Sequence, residues 1–149
     1  VLVFDIELSN QNTAMRTNLN EQDQVIPVET IQWVPYALAG FEGEYMATII
    51  NTNLHKAPFI ALLQMKPDAR IVKHYHPKLI ESVYVVDGEM INEGSQVLKA
   101  GSFLVHGPGV LHGSHETKTG CTLMFIQYPT ELPENGNYLV GPDDSVFAE

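Results

Sequence analysis

From Val25 onward, short β-branched and aromatic runs alternate with clusters of Gly, Pro, Asn and Asp, the pattern of many short strands joined by tight turns. Apolar alternation predicts strands at Met46–Asn51, Pro58–Met65, Ile71–His76, Ser82–Val86, Met90–Asn92, Gln96–Leu98, Phe103–His106, Gly113–Glu116 and Cys121–Tyr128. Asp87-Gly88, Glu93-Gly94, Ala100-Gly101, Gly107-Pro-Gly109 and Thr119-Gly120 are the expected turns between them. No stretch sustains a helical period over a useful length, and no repeat is evident. Strands this short and closely spaced imply an all-β sandwich or closed barrel, which also protects strand edges.

The two ends of the chain read differently. Residues 1–24 read as an N-terminal arm or edge strand: Val1 to Leu8 is strand-like, and residues 9–24 are polar. Residues 25–149 read as one barrel domain whose tail, Pro129 to Glu149, wraps it or covers its mouth. A chain of 149 residues is long enough to bury a real core.

Charge and cysteine content narrow the partners. Eight Lys plus Arg against 18 Asp plus Glu give a net charge of −10, the wrong sign for nucleic acid or an anionic membrane surface. No run approaches the ~20 apolar residues of a membrane helix. Val1-Leu-Val-Phe4 is broken by Asp5 and Glu7 and follows no basic stretch, unlike a signal peptide. Cys121 is the only cysteine, so no internal disulfide can form, and a reducing, cytoplasmic setting is expected. Its place in the apolar run Cys121–Ile126 marks it as a packed thiol rather than a nucleophile.

The chemistry is concentrated in two blocks. Side chains at i and i+2 of a strand point the same way, so His74 and His76 project together, about 6–7 Å apart at the backbone. Pro77 ends the strand's hydrogen bonding, and Glu81 opens the next strand, where it can face the same interior. The second block, Gly101 to His112, uses Gly107-Pro-Gly109 to deliver His112 to a strand start. An HxH pair alone is weak evidence, because histidines fall in such pairs by chance. With Glu81 and His112 in context, a metal site at His74, His76 and His112 outweighs solvated or core-satisfied histidines.

The remaining polar candidates rank lower. His55 lies in a loop and is expected at the surface. His106 is expected at the cavity mouth or capping a turn. His115, three beyond His112 on what should be one strand, is expected to face outward. Arg70 shares His74's strand parity and could bind a substrate anion at the mouth, although a solvated strand-end arginine is an equal alternative. Tyr84 is opposite in parity to Glu81 and reads as packing. Phe59, Met65, Phe103, His106 and Phe125, together with Tyr75 and Met124, are candidates for a pocket wall, with ordinary core as the competing role of each apolar one.

These blocks resemble the two motifs of the cupin superfamily. Asp68 stands at the leading glycine of the first motif, which continues through His74, His76, Glu81 and Gly88. The second is matched at Gly101, Gly109 and His112, with Gly107 in the usual proline position and Glu116 in the usual asparagine position. These departures touch turn positions, not ligands. The resemblance implies a single-domain cupin jelly-roll β-barrel with His74, His76 and His112 as metal ligands and Glu81 as a fourth ligand or as a hydrogen-bond acceptor behind the ligands. The Trp33-Val-Pro35 lead-in, the close motifs and the chain length are more narrowly similar to acetylacetone-cleaving dioxygenases and to the cupin domain of the anti-sigma factor ChrR.

That resemblance implies a divalent metal cofactor, with Fe(II) favoured and Zn, Ni, Mn or Cu as alternatives, because imidazole ligation suits them all. The expected activity is C–C cleavage of a small β-diketone or related carbonyl compound by O₂. Glu81 would orient an imidazole N–H or take a substrate proton. Two other classes stay open: a non-redox isomerase or lyase acting on a small sugar or acid derivative, and a non-catalytic metal-binding sensor. A homodimer or homotetramer is expected, since small barrels with arms exchange edge strands.

Overall fold

The computed structural model of the chain describes residues 24–148. The arm or edge strand read at residues 1–24 lies almost wholly outside them. The regular structure of the described chain is nearly all strand: β1 (Val34–Pro35), β2 (Phe41–Glu42), β3 (Tyr45–Asn51), β4 (Phe59–Met65), β5 (Arg70–Ile71), β6 (His74–Tyr75), β7 (Leu79–Asn92), β8 (Gln96–Lys99), β9 (Phe103–His106), β10 (His115–Glu116), β11 (Cys121–Pro129) and β12 (Val146–Phe147). The only helical elements among the described residues are 3₁₀ turns at Val28–Thr30 and Pro142–Asp144. No described helix is long and apolar enough to cross a membrane.

Ten strands form one curled sheet in the order β1-β3-β4-β11-β7-β10-β5-β2, with β8 and β9 also paired to β7, while β12 pairs β6 separately. All these pairings are antiparallel. Strand β7 is the spine of the fold. Its first part pairs with β11 and β9, and its last residues pair with β8 and β10.

Two expected strand boundaries move. Asp87-Gly88 does not reverse the chain, because β7 runs through it as a bulge: Thr122 pairs Asp87, but Leu123 pairs Val85, leaving Val86 as the extra residue. Gly88 sits at φ +76° with β11 so close that a Cβ there would lie 2.4 Å from the Gly120 carbonyl oxygen. A glycine that reads as a turn is therefore a close backbone approach inside a bent strand. Conversely, the expected strand Ile71–His76 breaks at Val72–Lys73 into β5 and β6. That break resets side-chain parity between Arg70 and His74.

Alternation along the central strands builds the interior. On β4 the inward row is Phe59, Ala61, Leu63 and Met65, and on β11 it is Cys121, Leu123, Phe125 and Gln127. Glu81, Val83 and Val85 are the facing row of β7. Met65, Val85, Met90 and Leu123 are at most 1% exposed and anchor a core cluster. Full burial of such side chains contributes about 1.5–3 kcal/mol each.

Candidate metal centre

The two histidine blocks are joined by backbone before any ligand is considered. His74 N–H donates to the His112 carbonyl (2.9 Å), and His112 N–H returns a bond to the His74 carbonyl (2.8 Å). Gly109 N–H donates to the His76 carbonyl at 2.7 Å, so the Gly107-Pro-Gly109 turn docks directly on the HxH segment. This reciprocal bridge brings the three imidazoles within 4.3–5.2 Å of one another, centroid to centroid. One ligand nitrogen from each lies within 4.8 Å of the others.

The hydrogen bonds settle which nitrogens face inward. His74 Nδ1 bonds to the Val72 carbonyl (2.8 Å), His112 Nδ1 to the Val110 carbonyl (2.8 Å) and His76 Nδ1 to the Asp144 carbonyl (2.9 Å). A carbonyl only accepts, so each Nδ1 carries the proton and each Nε2 presents its lone pair. The Nε2 atoms of His76 and His112 are buried without a hydrogen-bond partner among the described residues. Glu81, 2% exposed, holds Oε2 3.2 Å from His76 Nε2 and Oε1 3.6 Å from His112 Nε2. Lone pairs of nitrogen and carboxylate facing each other in a buried site require a cation between them. A proton serves in the metal-free protein. Three imidazole nitrogens and a carboxylate also fit a divalent transition metal, and the orphaned Nε2 atoms are the observation that makes the fit.

The electrostatics agree. Burial alone would raise the Glu81 carboxyl, but the close His76 imidazole with its charge and the Gln127 amide outweigh it and hold it down at about 2. Burial lowers His76 too, yet Glu81 more than compensates and raises it. His74 is lowered to about 4 by burial, and His112 is lowered for the same reason. Two ligands are therefore neutral near pH 7, with their lone pairs free for a metal.

Beside the histidines lies a cavity of about 100 Å³. Ile49, Phe59, Leu63 and Phe125 form much of its wall, and Leu139, Val140 and Ser145 of the C-terminal tail complete it. The tail also reaches the ligands: besides the Asp144 carbonyl, Ser145 Oγ lies 3.1 Å from His76 Nδ1, and Phe147 packs on His74 at 5.3 Å. An apolar wall with a polar end suits a small molecule that carries oxygen atoms on one side.

Several expected positions are corrected. Arg70 does not enter the mouth: it pairs with Glu42 (3.3 Å) and Glu116 (3.4 Å), while its neighbour Ile71 turns inward to the cavity. Met65 lies in the closed core, away from the cavity wall. Phe103 is 60% exposed and packs on Tyr84 at 4.7 Å. His106 does not line the cavity; its ring stacks on His112 at 3.8 Å with a 5° interplanar angle. His115 is not outward but 4% exposed and on the cavity wall. Its parity relative to His112 is lost because Gly113, at φ +88°, breaks the extended run and β10 begins only at His115. Gln127 was not singled out, although a lone amide at inward parity in the run Cys121–Gln127 was a readable signal.

Several solved structures share this fold. A predicted oxalate decarboxylase from Thermotoga maritima aligns at TM-score 0.61 and 20% identity, covering 71% of this chain and 99% of the other. The polyketide cyclase RemF of Streptomyces resistomycificus aligns at TM-score 0.59 and 14% identity, covering 83% and 90%. An acetylacetone dioxygenase from Acinetobacter johnsonii aligns at TM-score 0.57 and 16% identity, covering 81% and 84%. No curated protein sequence matches the chain. Identities this low carry the jelly-roll fold and no particular reaction. The ChrR cupin-like domain family matches residues 21–131, most of the chain and both histidine blocks, and this protein belongs to that family.

Proposed function

We propose that the protein is a metal-dependent cupin enzyme, a non-haem Fe(II) dioxygenase that cleaves a C–C bond of a small β-diketone or related carbonyl compound. The observation that carries this reading is the pairing of convergent, carbonyl-pinned imidazoles with an apolar cavity. His74, His76 and His112 would hold the ion through Nε2, with Glu81, whose carboxylate faces the same nitrogens, as fourth ligand or as a base beside the ion. The bound ion would supply Lewis-acid activation of an enolate and a site for O₂.

The chain's own residues do the rest. Neutral imidazoles leave the centre cationic, which favours an anionic oxygen chelate such as a diketone enolate. Phe59, Phe125 and Val140 take the short alkyl ends and exclude water. Their apolar character disfavours a sugar substrate, whose hydroxyls would lose hydrogen bonds there. A cavity of about 100 Å³ is smaller than the ~150 Å³ void that takes up benzene, so compact substrates are expected. Glu81 would receive the proton that a diketone loses on enolisation, with the Gln127 amide donating to its carboxylate. O₂ addition and cleavage would place both oxygen atoms in the products, a carboxylic acid and an oxo compound.

Metal analysis of protein purified without oxygen, followed by O₂ uptake with a panel of β-diketones, tests the reading. Stoichiometric iron with diketone-dependent uptake is the expected result. Tightly bound zinc with no uptake would move the assignment to a non-redox isomerase or lyase. The oligomeric state proposed with it is a homodimer or homotetramer, and the setting is cytoplasmic.

A further inference from the structure

His115 is a polar side chain of the cavity wall whose chemistry the reading above leaves unused. It lies on β10, in register with Ile71 of β5 and Asn92 of β7, and is 4% exposed. Its ring stands 6.0 Å from His74 and 5.7 Å from His112, so it flanks the donor set. Each of the three proposed ligands has Nδ1 fixed by a carbonyl, whereas His115 Nδ1 is buried with no hydrogen-bond partner among the described residues. Among the polar groups on the cavity wall, only the ligand nitrogen of His76 shares that status, and it faces Glu81. An unpaired buried nitrogen has lost its water without gaining a partner, a cost that an apolar side chain in this wall would not incur.

A second metal position does not account for it. His106, His112 and His115 also bring nitrogens within 4.8 Å of one another. However, His106 and His112 are stacked with planes 5° apart, so their in-plane lone pairs run parallel and cannot meet on one ion. The only unbonded nitrogen of His112 is the Nε2 already directed at the first centre.

We propose that His115 is a substrate-binding residue: its Nδ1 hydrogen-bonds an oxygen of the molecule chelated at the His74–His76–His112 centre, and so selects enolates and other oxygen chelates over apolar occupants of the cavity. This rests on the metal-enzyme reading above. Burial lowers the ring to about 3, so near pH 7 it is a neutral imidazole that donates without adding charge to the centre.

The test compares wild type, His115→Leu, which removes the nitrogen, and His115→Asn, whose amide falls where Nδ1 stood. Three quantities are measured: Co(II) loading, acetylacetonate affinity of the Co(II) protein from its visible spectrum, and the thermal midpoint without metal. All three proteins should load Co(II) stoichiometrically. The acetylacetonate Kd should rise about tenfold in His115→Leu and return most of the way in His115→Asn, the size expected for one hydrogen bond. The metal-free midpoint of His115→Leu should equal or exceed that of wild type, whereas a structural histidine would lower it. Equal Kd values in wild type and His115→Leu would overturn the proposal and leave the metal reading standing. Loss of Co(II) in both variants would overturn it by making His115 a ligand. Wild-type protein that loads Co(II) but takes up no acetylacetonate would end the diketone reading, and this proposal with it.

Discussion

Along β11 the inward side chains run Cys121, Leu123, Phe125, Gln127, and the two ends of that row live in different media. At the Cys121 end, Leu123 is 0% exposed among Met65, Val85 and Met90, and burial pushes the thiol itself up to about 11. At the Gln127 end, the same sheet face meets Glu81, His76 and the cavity. One antiparallel ladder joins the two, pairing Gln127 with Glu81 and Leu123 with Val85, and the Val86 bulge lies only beyond Leu123. The contrast teaches that one end is built to remove every polar group. The other concentrates them, leaves nitrogens unpaired, and relies on a cation to complete them.

The sharpest way to break this contrast is to remove one ligand without stranding a charge. His74 has no pairing with Glu81, so His74→Ala should abolish stoichiometric metal binding while shifting the metal-free unfolding midpoint little. Metal analysis and thermal melts check it. His76→Ala would be less clean, because it also deprives the buried Glu81 carboxylate of its partner. At the closed end the reverse holds: Leu123→Ala should cost about 2–5 kcal/mol in urea unfolding and leave metal stoichiometry unchanged. If Leu123→Ala emptied the metal site, the two ends would not be separable.

Gln127→Leu probes the boundary between the ends. It removes a donor to the Glu81 carboxylate, and metal affinity should fall about 10–100-fold in competition titrations, with folding retained. Acid should also act selectively. Burial holds His74 and His106 at about 4 and His115 at about 3 in the folded protein, against 6.5 for a free histidine. The unfolded chain then binds more protons, so stability falls as pH drops below 6.5 and the loss levels off only near 3. Glu81, held at about 2, adds a loss of the same sign at lower pH. Metal-free protein should therefore show a lower urea midpoint at about pH 5 than at about pH 7.5, and bound metal should widen the gap because protons compete for the ligands. The smallest effect belongs to Arg70→Ala: its ion pairs are partly exposed, so stability should change by less than about 1 kcal/mol and metal affinity not at all.

Much of this was legible in the residues. Alternation located most strands, and the HxH pair with Glu81 and His112 marked the blocks that the fold brings together. Legibility failed wherever the chain left regular extended geometry. Parity put Arg70 on the face of His74, but the break at Val72–Lys73 turned it outward. Parity put His115 outward, but Gly113 turned it in. Asp87-Gly88 read as a reversal because a turn and a bulge use the same left-handed glycine, and only the neighbouring strand distinguishes them.

Periodicity and donor chemistry are local properties, so the order of residues alone fixes the strand-rich fold class and the side chains able to bind metal. The tertiary structure decided which donors meet. The reciprocal His74–His112 backbone bond, the Asp144 carbonyl on His76 and the burial of His115 all join residues far apart in the chain or across irregular segments. No local pattern records such contacts, since they exist only once the sheet has curled and the tail has closed against it.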